Sequence, residues 1–317
     1  MHAAVVEAWG EAPKYKTFDI PEPSANQVRI KVIAAGVHNL VRSRAAGKHF
    51  SVAGKNPPHV PGTDGVGTVT TTGELVYFNA LKSPTGPLAE EINIDKNDIF
   101  PLSKDADPDT IAVLANPAMS SWMALAARAG IKPGGKFTIG IVGATGVSGQ
   151  TAVQIAKAFG ATEVVAIGKP GAKLEKTKEL GATSTVALAE NINETDFSAA
   201  ADVDVVLDYL WGDVTKAVLP GIVEKRKNKS QRLTWVEIGA ITGDEFPISA
   251  ALLRKANVAV LGCGPGSWTF GELNEHLPTM LDSITKYGLK TEFAVKQLAD
   301  VESWWNQTGG PRALAKP

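Results

Sequence analysis

The sequence predicts an α/β fold: a doubly wound parallel sheet preceded by a β-rich, barrel-like unit. Three observations carry this reading. From about residue 137 short apolar runs alternate with helical segments, as parallel strands covered by helices on both faces do. Before residue 108 the chain instead shows short runs with Val and Ile, punctuated by Pro21, Pro23, Pro57, Pro58 and Pro61. The first alternating strand also runs through a glycine turn straight into a helix.

The elements follow in order. Residues 3–6, 27–34 and 67–72 are the expected strands of the first part. A helix over 109–129 ends at Gly130, and Lys132-Pro-Gly-Gly135 makes a turn. The alternating part begins with a strand at 137–142 and a helix at 149–159 closed by Gly160. A strand at 163–167 and a helix at 172–180 closed by Gly181 come next. Residues 203–208, 233–238 and 258–263 supply three more strands, with a helical segment at 250–255. Helices over 272–287 and around 298–305 precede a break at Gly309-Gly310-Pro311. The basic run from Glu224 to Arg232 is expected as a solvated loop. No internal repeat or low-complexity tract is visible.

Composition narrows the function. A chain of 317 residues and 33.3 kDa has room for two domains with a large core. Lys plus Arg number 32 against 33 Asp plus Glu, so no net field draws the whole chain to nucleic acid or an anionic membrane. Small molecules or proteins are the expected partners. The lone Cys263 excludes an intrachain disulfide and a thiolate zinc cluster. Residues 110–127 and 137–156 lack charge, but their Asn, Pro, Gly, Thr, Ser and Gln argue against membrane spans. The first residues lack the basic start and long apolar region of a secretory leader, which makes the cytoplasm the expected location.

The chemistry-bearing motif is Gly143-Ala144-Thr145-Gly146-Val147-Ser148-Gly149, set between a strand and a helix. That is the context of a dinucleotide site. Gly146 lets the backbone approach a pyrophosphate, Gly149 lets the helix pack closely on the strand, and first-turn amides face the phosphates. Ala144 at the first position departs from the strict G-x-G-x-x-G pattern. An acid at the end of the second strand would read a free ribose 2′-hydroxyl. The loop there, Gly168-Lys169-Pro170-Gly171-Ala172-Lys173, holds no acid and two lysines, which suits a 2′-phosphate and therefore NADPH.

Further segments carry a family resemblance along nearly the whole chain: the first ten residues, Pro21-Glu-Pro23, Val32-Ile-Ala-Ala-Gly-Val37, Pro61-Gly-Thr-Asp-Gly-Val-Gly67, Lys178-Glu-Leu-Gly-Ala182, Asp204-Val-Val-Leu-Asp208 and Leu298-Ala-Asp-Val-Glu302. With the glycine turn, they make the chain resemble a medium-chain dehydrogenase/reductase of the zinc-independent quinone oxidoreductase branch. The resemblance implies a GroES-like β-barrel catalytic domain from residues 1–112 and 265–317, and a Rossmann domain over 113–264. It also implies that Ser120 and the strand end Ile238-Gly239-Ala240 border the nicotinamide. A homodimer joined at the edge strand 258–263 is implied as well.

Zinc members of this family hold their metal with two cysteines and a histidine, where this chain has His38, the pair Thr63-Asp64, and Asn116. The four-cysteine lobe for structural zinc is missing too, so no metal is expected. Without a Lewis acid, hydride acceptors activated by conjugation are favoured, namely quinones or α,β-unsaturated carbonyls. His38, Asn39 and Tyr77 are the candidate donors for developing negative charge, and His38, Asp64 and Asn116 a polar floor. Trp122 and Trp268 are candidates for the substrate slot or for the core. Two other readings stay open: an alcohol dehydrogenase with a non-standard metal site, and a non-catalytic NADPH-binding sensor or structural protein.

Overall fold

The computed structural model describes residues 1–317, apart from the side chain of Phe50. In chain order the first elements are β1 (His2–Val5), β2 (Lys14–Thr17), β3 (Gln27–Val37), helix α1 (Asn39–Ala45), β4 (Asp64–Val69), β5 (Leu75–Asn79), β6 (Glu91–Asp95), β7 (Ile99–Pro101) and helix α2 (Pro108–Met123). The alternating part follows: β8 (Thr138–Val142), α3 (Val147–Phe159), β9 (Glu163–Gly168), α4 (Ala172–Glu179), β10 (Ser184–Ala187), β11 (Val205–Asp208), α5 (Gly212–Lys225), β12 (Leu233–Glu237), α6 (Ala250–Lys255) and β13 (Val258–Gly262). Helix α7 (Phe270–Lys286), β14 (Phe293–Gln297), α8 (Val301–Trp304) and β15 (Arg312–Lys316) complete the chain.

These elements form two compact units, Met1–Asn116 with Leu277–Pro317, and Pro117–His276. The sequence placed the divisions at 112/113 and 264/265. Both fall later, at Pro117 and just before Pro278, inside the continuous helices α2 and α7.

The first unit holds a sheet in the order β14-β15-β3-β4-β5-β7, with β6 also paired to β3. Every pairing but β14 with β15 is antiparallel. Long β3 shifts register between Val32 and Ala34, a bulge that lets one strand serve several partners. Its Gly36 is required by packing, since a Cβ there would lie 2.5 Å from the Ala112 carbonyl oxygen. Ile30, Val32, Val69, Val76, Phe78, Ile92 and Ile94 fill one core between the strands.

The second unit is the doubly wound sheet, all parallel, in the order β10-β9-β8-β11-β12-β13. Its central strands are buried along their length, which is why they read as unbroken apolar runs. Trp235, fully buried, and Val206, Val218, Ile222 and Phe197 are among the side chains of its main core. Helix α3 starts at Val147, two residues before the expected start, because Gly146 already serves as N-cap. In the basic run Arg226 turns inward: it is buried and donates to the carbonyls of Ala201, Val203 and Gln231. The stretch Pro108–Arg128 is long and apolar enough to cross a membrane by length and composition, and 72% of its most apolar window is buried inside the protein.

Candidate functional site

In the second unit, the glycine turn stands at the carboxyl edge of the parallel sheet, where open α/β sheets bind ligands. Gly143 has φ +87°, and Gly143 and Ala144 donate to the Ile167 carbonyl at 2.9 and 3.1 Å, tying the turn after β8 to the end of β9. Gly149 tolerates nothing larger, since a Cβ would meet the Gly143 carbonyl oxygen at 2.3 Å and Ala144 Cα at 2.6 Å. At exposed Gly146 the nearest atom to such a Cβ lies 3.7 Å away, so this face of the turn is open. The N-cap contributes no side-chain acceptor, and the first intrahelical bond is Gln150 to Gly146, which leaves the amides of Val147, Ser148 and Gly149 for a ligand. Half-buried Thr145 packs under Gly168, where a Cβ would approach its methyl carbon to 2.8 Å. These features fit a dinucleotide pyrophosphate.

Lys169 and Lys173 are exposed beyond β9, and among the described residues neither has a hydrogen bond or ion pair. Two unspent cations therefore stand where a ribose phosphate would lie. At the end of β12, Ile238, Gly239 and Ala240 are half-buried, and the Ile238 and Gly239 amides donate to the Asp208 carbonyl. Ser120 donates to the Pro117 carbonyl at 2.8 Å and lies 3.3 Å from the Tyr209 hydroxyl.

Sequence reasoning missed Asp208. Its carboxylate is fully buried at the end of β11. One oxygen accepts from the Leu210 and Trp211 amides at 2.9 and 3.1 Å, and the other from Thr215 Oγ1 and Trp235 Nε1 at 2.6 and 3.0 Å. Burial pushes its pKa up, against the pull of these donors. The bonds hold a strained loop: Trp211 takes φ +52°, unusual for any residue but glycine. The acid in Asp204-Val-Val-Leu-Asp208 gave a sequence signal, and of its donors only Trp235 lies far along the chain.

The first unit gathers the other candidates. His38 precedes α1, Asp64 opens β4, and Tyr77 lies on β5, whose pairing places it opposite Val66. All three are buried. Thr63 joins them, with its hydroxyl 2.6 Å from Asp64 Oδ1 and 3.0 Å from His38 Nε2, and Tyr77 donates to Asp64 Oδ2 at 3.3 Å. Proton bookkeeping follows from these distances. Thr63 has one proton, and its shorter bond gives that proton to the carboxylate, so His38 Nε2–H donates to Thr63. Burial lowers the His38 pKa despite the neighbouring Asp64, and neutral His38 then bears its lone pair on Nδ1, which is buried without a partner. Burial and the Asp64 charge raise Tyr77 well above its ordinary value, so it keeps its proton.

The arrangement changes the expected roles. The protons of Tyr77 and Thr63 are engaged by Asp64, and the free atom of His38 is an acceptor. Asn39 is exposed on α1 and Asn116 half-buried on α2, and neither hydrogen-bonds to the cluster. Trp122 is a core residue, edge-on to Phe159 at 4.5 Å, whereas Trp268 is half-buried. At the positions where the resemblance would place zinc ligands stand His38, Thr63 and Asn116. Among the described residues no group of three or more His, Cys, Asp or Glu side chains forms a metal site. These residues do not fit a zinc ion.

A family model described as zinc-binding dehydrogenase matches residues 148–285. The chain is 28% identical to a probable NADPH-dependent quinone reductase, tdiC, of Emericella nidulans, with all of both chains covered. It is 31% identical to a 2-methylene-furan-3-one reductase of Solanum lycopersicum over 63% of this chain and 53% of that protein. In fold it matches a Thermus thermophilus quinone oxidoreductase, solved also with NADPH, with a TM-score of 0.80 at 24% identity and full coverage of both chains. A thermostable alcohol dehydrogenase of Pyrobaculum aerophilum gives a TM-score of 0.78 at 26% identity, over 100% and 99% of the two chains. With its Rossmann sheet, its glycine turn and these relatives, the chain is an oxidoreductase similar to the quinone oxidoreductases of the medium-chain dehydrogenase/reductase superfamily.

Proposed function

We propose that this protein is an NADPH-dependent reductase that transfers hydride to a quinone or an α,β-unsaturated carbonyl without a metal ion. The observation that carries the reading is the open glycine turn with two unpartnered lysines beyond the next strand. Amides of Val147, Ser148 and Gly149 would hold the pyrophosphate, and Lys169 and Lys173 the 2′-phosphate. Gly168 and the strand end at Ile238, Gly239 and Ala240 would flank the ribose and nicotinamide, with Ser120 alongside. Bound NADPH supplies the hydride.

Metal independence draws support from the donor set. Conjugated acceptors need less polarisation than a simple ketone, because hydride addition yields a delocalised anion. A solvent proton completes the product, since the hydroxyls of Tyr77 and Thr63 are already given to Asp64. The reading also takes the protein as cytoplasmic and as a homodimer joined at β13, an edge strand that is only partly covered.

NADPH consumption with a panel of quinones, enals and enones tests the proposal. Quinone- or enone-dependent oxidation is expected. Tight NADPH binding with no oxidation by any acceptor would overturn it in favour of a cofactor sensor.

A further inference from the structure

Along α2 the run from Pro117 to Met123 is buried except at Ser120, so a single hydroxyl of that stretch reaches a surface. Ser120 belongs to the same compact unit as the glycine turn. Tyr209, the residue that follows β11, ties the two together. A Cβ on Gly143 would come within 3.3 Å of Tyr209 Cβ, and a Cβ on Gly239 would lie 3.2 Å from the Tyr209 carbonyl oxygen. The Tyr209 ring is buried, and at its far end the hydroxyl lies 3.3 Å from Ser120 Oγ. Just past β13, the Cys263 thiol faces the Ser120 carbonyl oxygen at 3.9 Å. Ser120 therefore stands beside the ends of β11 and β13. In the strand order β9-β8-β11-β12-β13 these ends lie on one side of the glycine turn, and Lys169 and Lys173 lie on the other, beyond β9.

The direction of the hydrogen bonds decides what Ser120 can offer a ligand. Its one proton goes to the Pro117 carbonyl at 2.8 Å, the shorter of its two contacts. Neighbouring Ser121 likewise turns its proton to the carbonyls of Pro117 and Ala118, at 3.3 and 3.1 Å. Burial pushes the Tyr209 phenol well above its ordinary pKa, so it keeps its proton near neutral pH and donates it to Ser120 Oγ. A serine oxygen has two lone pairs. One receives the Tyr209 proton and the other is open, so Ser120 presents an acceptor with no proton to give.

We infer that Ser120, oriented by Tyr209, accepts a hydrogen bond from the amide N–H of the cofactor's nicotinamide carboxamide. The inference rests on the NADPH reading of the glycine turn and deepens it. With the pyrophosphate on the first-turn amides of α3 and the 2′-phosphate at Lys169 and Lys173, the second mononucleotide extends across the ends of β11, β12 and β13. The carboxamide is the group of that half with an N–H to donate. An acceptor at Ser120 turns the carboxamide NH2 toward α2 and its carbonyl oxygen away from it, which sets the rotation of the group. Tyr209 is the positioning residue, acting through Ser120.

Exchanging the carboxamide NH2 for methyl tests this on the purified full-length chain. Reduced 3-acetylpyridine adenine dinucleotide phosphate makes that exchange and keeps the ring carbonyl, both riboses and all phosphates. By calorimetric titration wild type should bind NADPH about three- to tenfold more tightly than this analogue. Ser120→Ala should abolish the preference by weakening NADPH alone. Tyr209→Phe keeps the ring but no longer directs the Ser120 lone pair, and should shrink the preference without abolishing it. Ser120→Ala also leaves the buried Tyr209 hydroxyl without its acceptor and should melt lower than wild type. The double replacement Ser120→Ala with Tyr209→Phe removes donor and acceptor together, avoids that orphan, and should show the same absence of preference. Equal binding of NADPH and the analogue by wild type would overturn the inference. So would an equal loss of both in Ser120→Ala and the double variant, the result expected if Ser120 bonded the carbonyl oxygen or a ribose hydroxyl. A full preference retained in Tyr209→Phe would overturn the part given to Tyr209. Failure of wild type to bind NADPH at all would sink the NADPH reading, whereas tight binding without preference would sink the carboxamide contact alone.

Discussion

Replacing Asp208 tests how the end of β11 supports the cofactor site. In Asp208→Ala four donors lose their acceptor: the Leu210 and Trp211 amides, Thr215 Oγ1 and Trp235 Nε1. The two amides lie in a half-buried loop and regain water. Thr215 and Trp235 are fully buried and do not. An orphaned buried donor costs roughly 1–3 kcal/mol, so two give about 2–6 kcal/mol. Removing a desolvated carboxylate returns part of this, which leaves a net loss of about 2–4 kcal/mol. The melting temperature should fall by roughly 5–15 °C.

Asp208→Asn separates the two oxygens. Its amide oxygen still accepts from Leu210 and Trp211, so the strained Trp211 stays held, while its NH2 faces Trp235 Nε1–H and loses about one bond. Stability should fall by roughly 1–3 kcal/mol with cofactor affinity intact. Asp208→Ala should weaken NADPH and NADH alike, because the loop relaxes. The pH dependence has a definite sign. Burial raises the folded pKa above the unfolded value near 3.8, so stability is greatest below that value and declines as pH rises through the folded pKa. The Asn variant should lose this decline. Thermal unfolding by circular dichroism and fluorescence titration of both cofactors measure these effects. A melting temperature for Asp208→Ala within about 2 °C of wild type would refute the reasoning.

Lys173→Ala should weaken NADPH by about two- to fivefold, the range for an exposed ion pair, with a larger loss when Lys169 is also replaced and no change for NADH; a wild type that prefers NADH would contradict the assignment. Dialysis against a strong chelator should leave quinone reduction intact, and loss of activity restored by zinc would show a metal site. Sedimentation at micromolar concentration should give a dimer that Val260→Asp on β13 dissociates, and a monomeric wild type would refute pairing at that edge.

Much of the second unit was legible because its physics is local. Buried parallel strands must be apolar throughout, and Gly160 and Gly181 close helices by a left-handed turn, at φ +104° and +113°. The first unit was less legible. Strands β5, β6 and β7 are short, and the partners of β6 and β7 lie farther along the chain, so no run of residues announces them. The strand expected at 67–72 is Asp64–Val69, because Thr70–Gly73 is spent on a turn after Val69. Strands β14 and β15 pair in parallel across α8, and their alternation is weak because β14 is only partly covered. The candidate site divides the same way. A glycine turn is one segment, whereas Asp208 and Tyr209 acquire meaning only from residues that folding brings beside them.

The exchange of zinc ligands shows why residue identity alone misleads about role. His38 and Asp64 are both metal-binding residue types, and in sequence they looked like the remnant of a metal site or a set of donors. In the folded chain Asp64 is saturated by the hydroxyls of Thr63 and Tyr77, and His38 Nε2 carries a proton directed at Thr63. A cation there would have to displace the Thr63 and Tyr77 hydrogen bonds from a buried carboxylate, while Nδ1 of His38 is buried without a partner. Threonine in place of the family's histidine thus does more than delete a ligand. Its single proton sets the direction of the network and thereby fixes the His38 tautomer. Thr63→Val should then free both Nε2 of His38 and Oδ1 of Asp64, so that the histidine, no longer directed by the hydroxyl, pairs with the carboxylate 3.4 Å away and its pKa rises. Nuclear magnetic resonance titration of His38 would show that rise, and an unchanged titration would mean that Thr63 does not set the network.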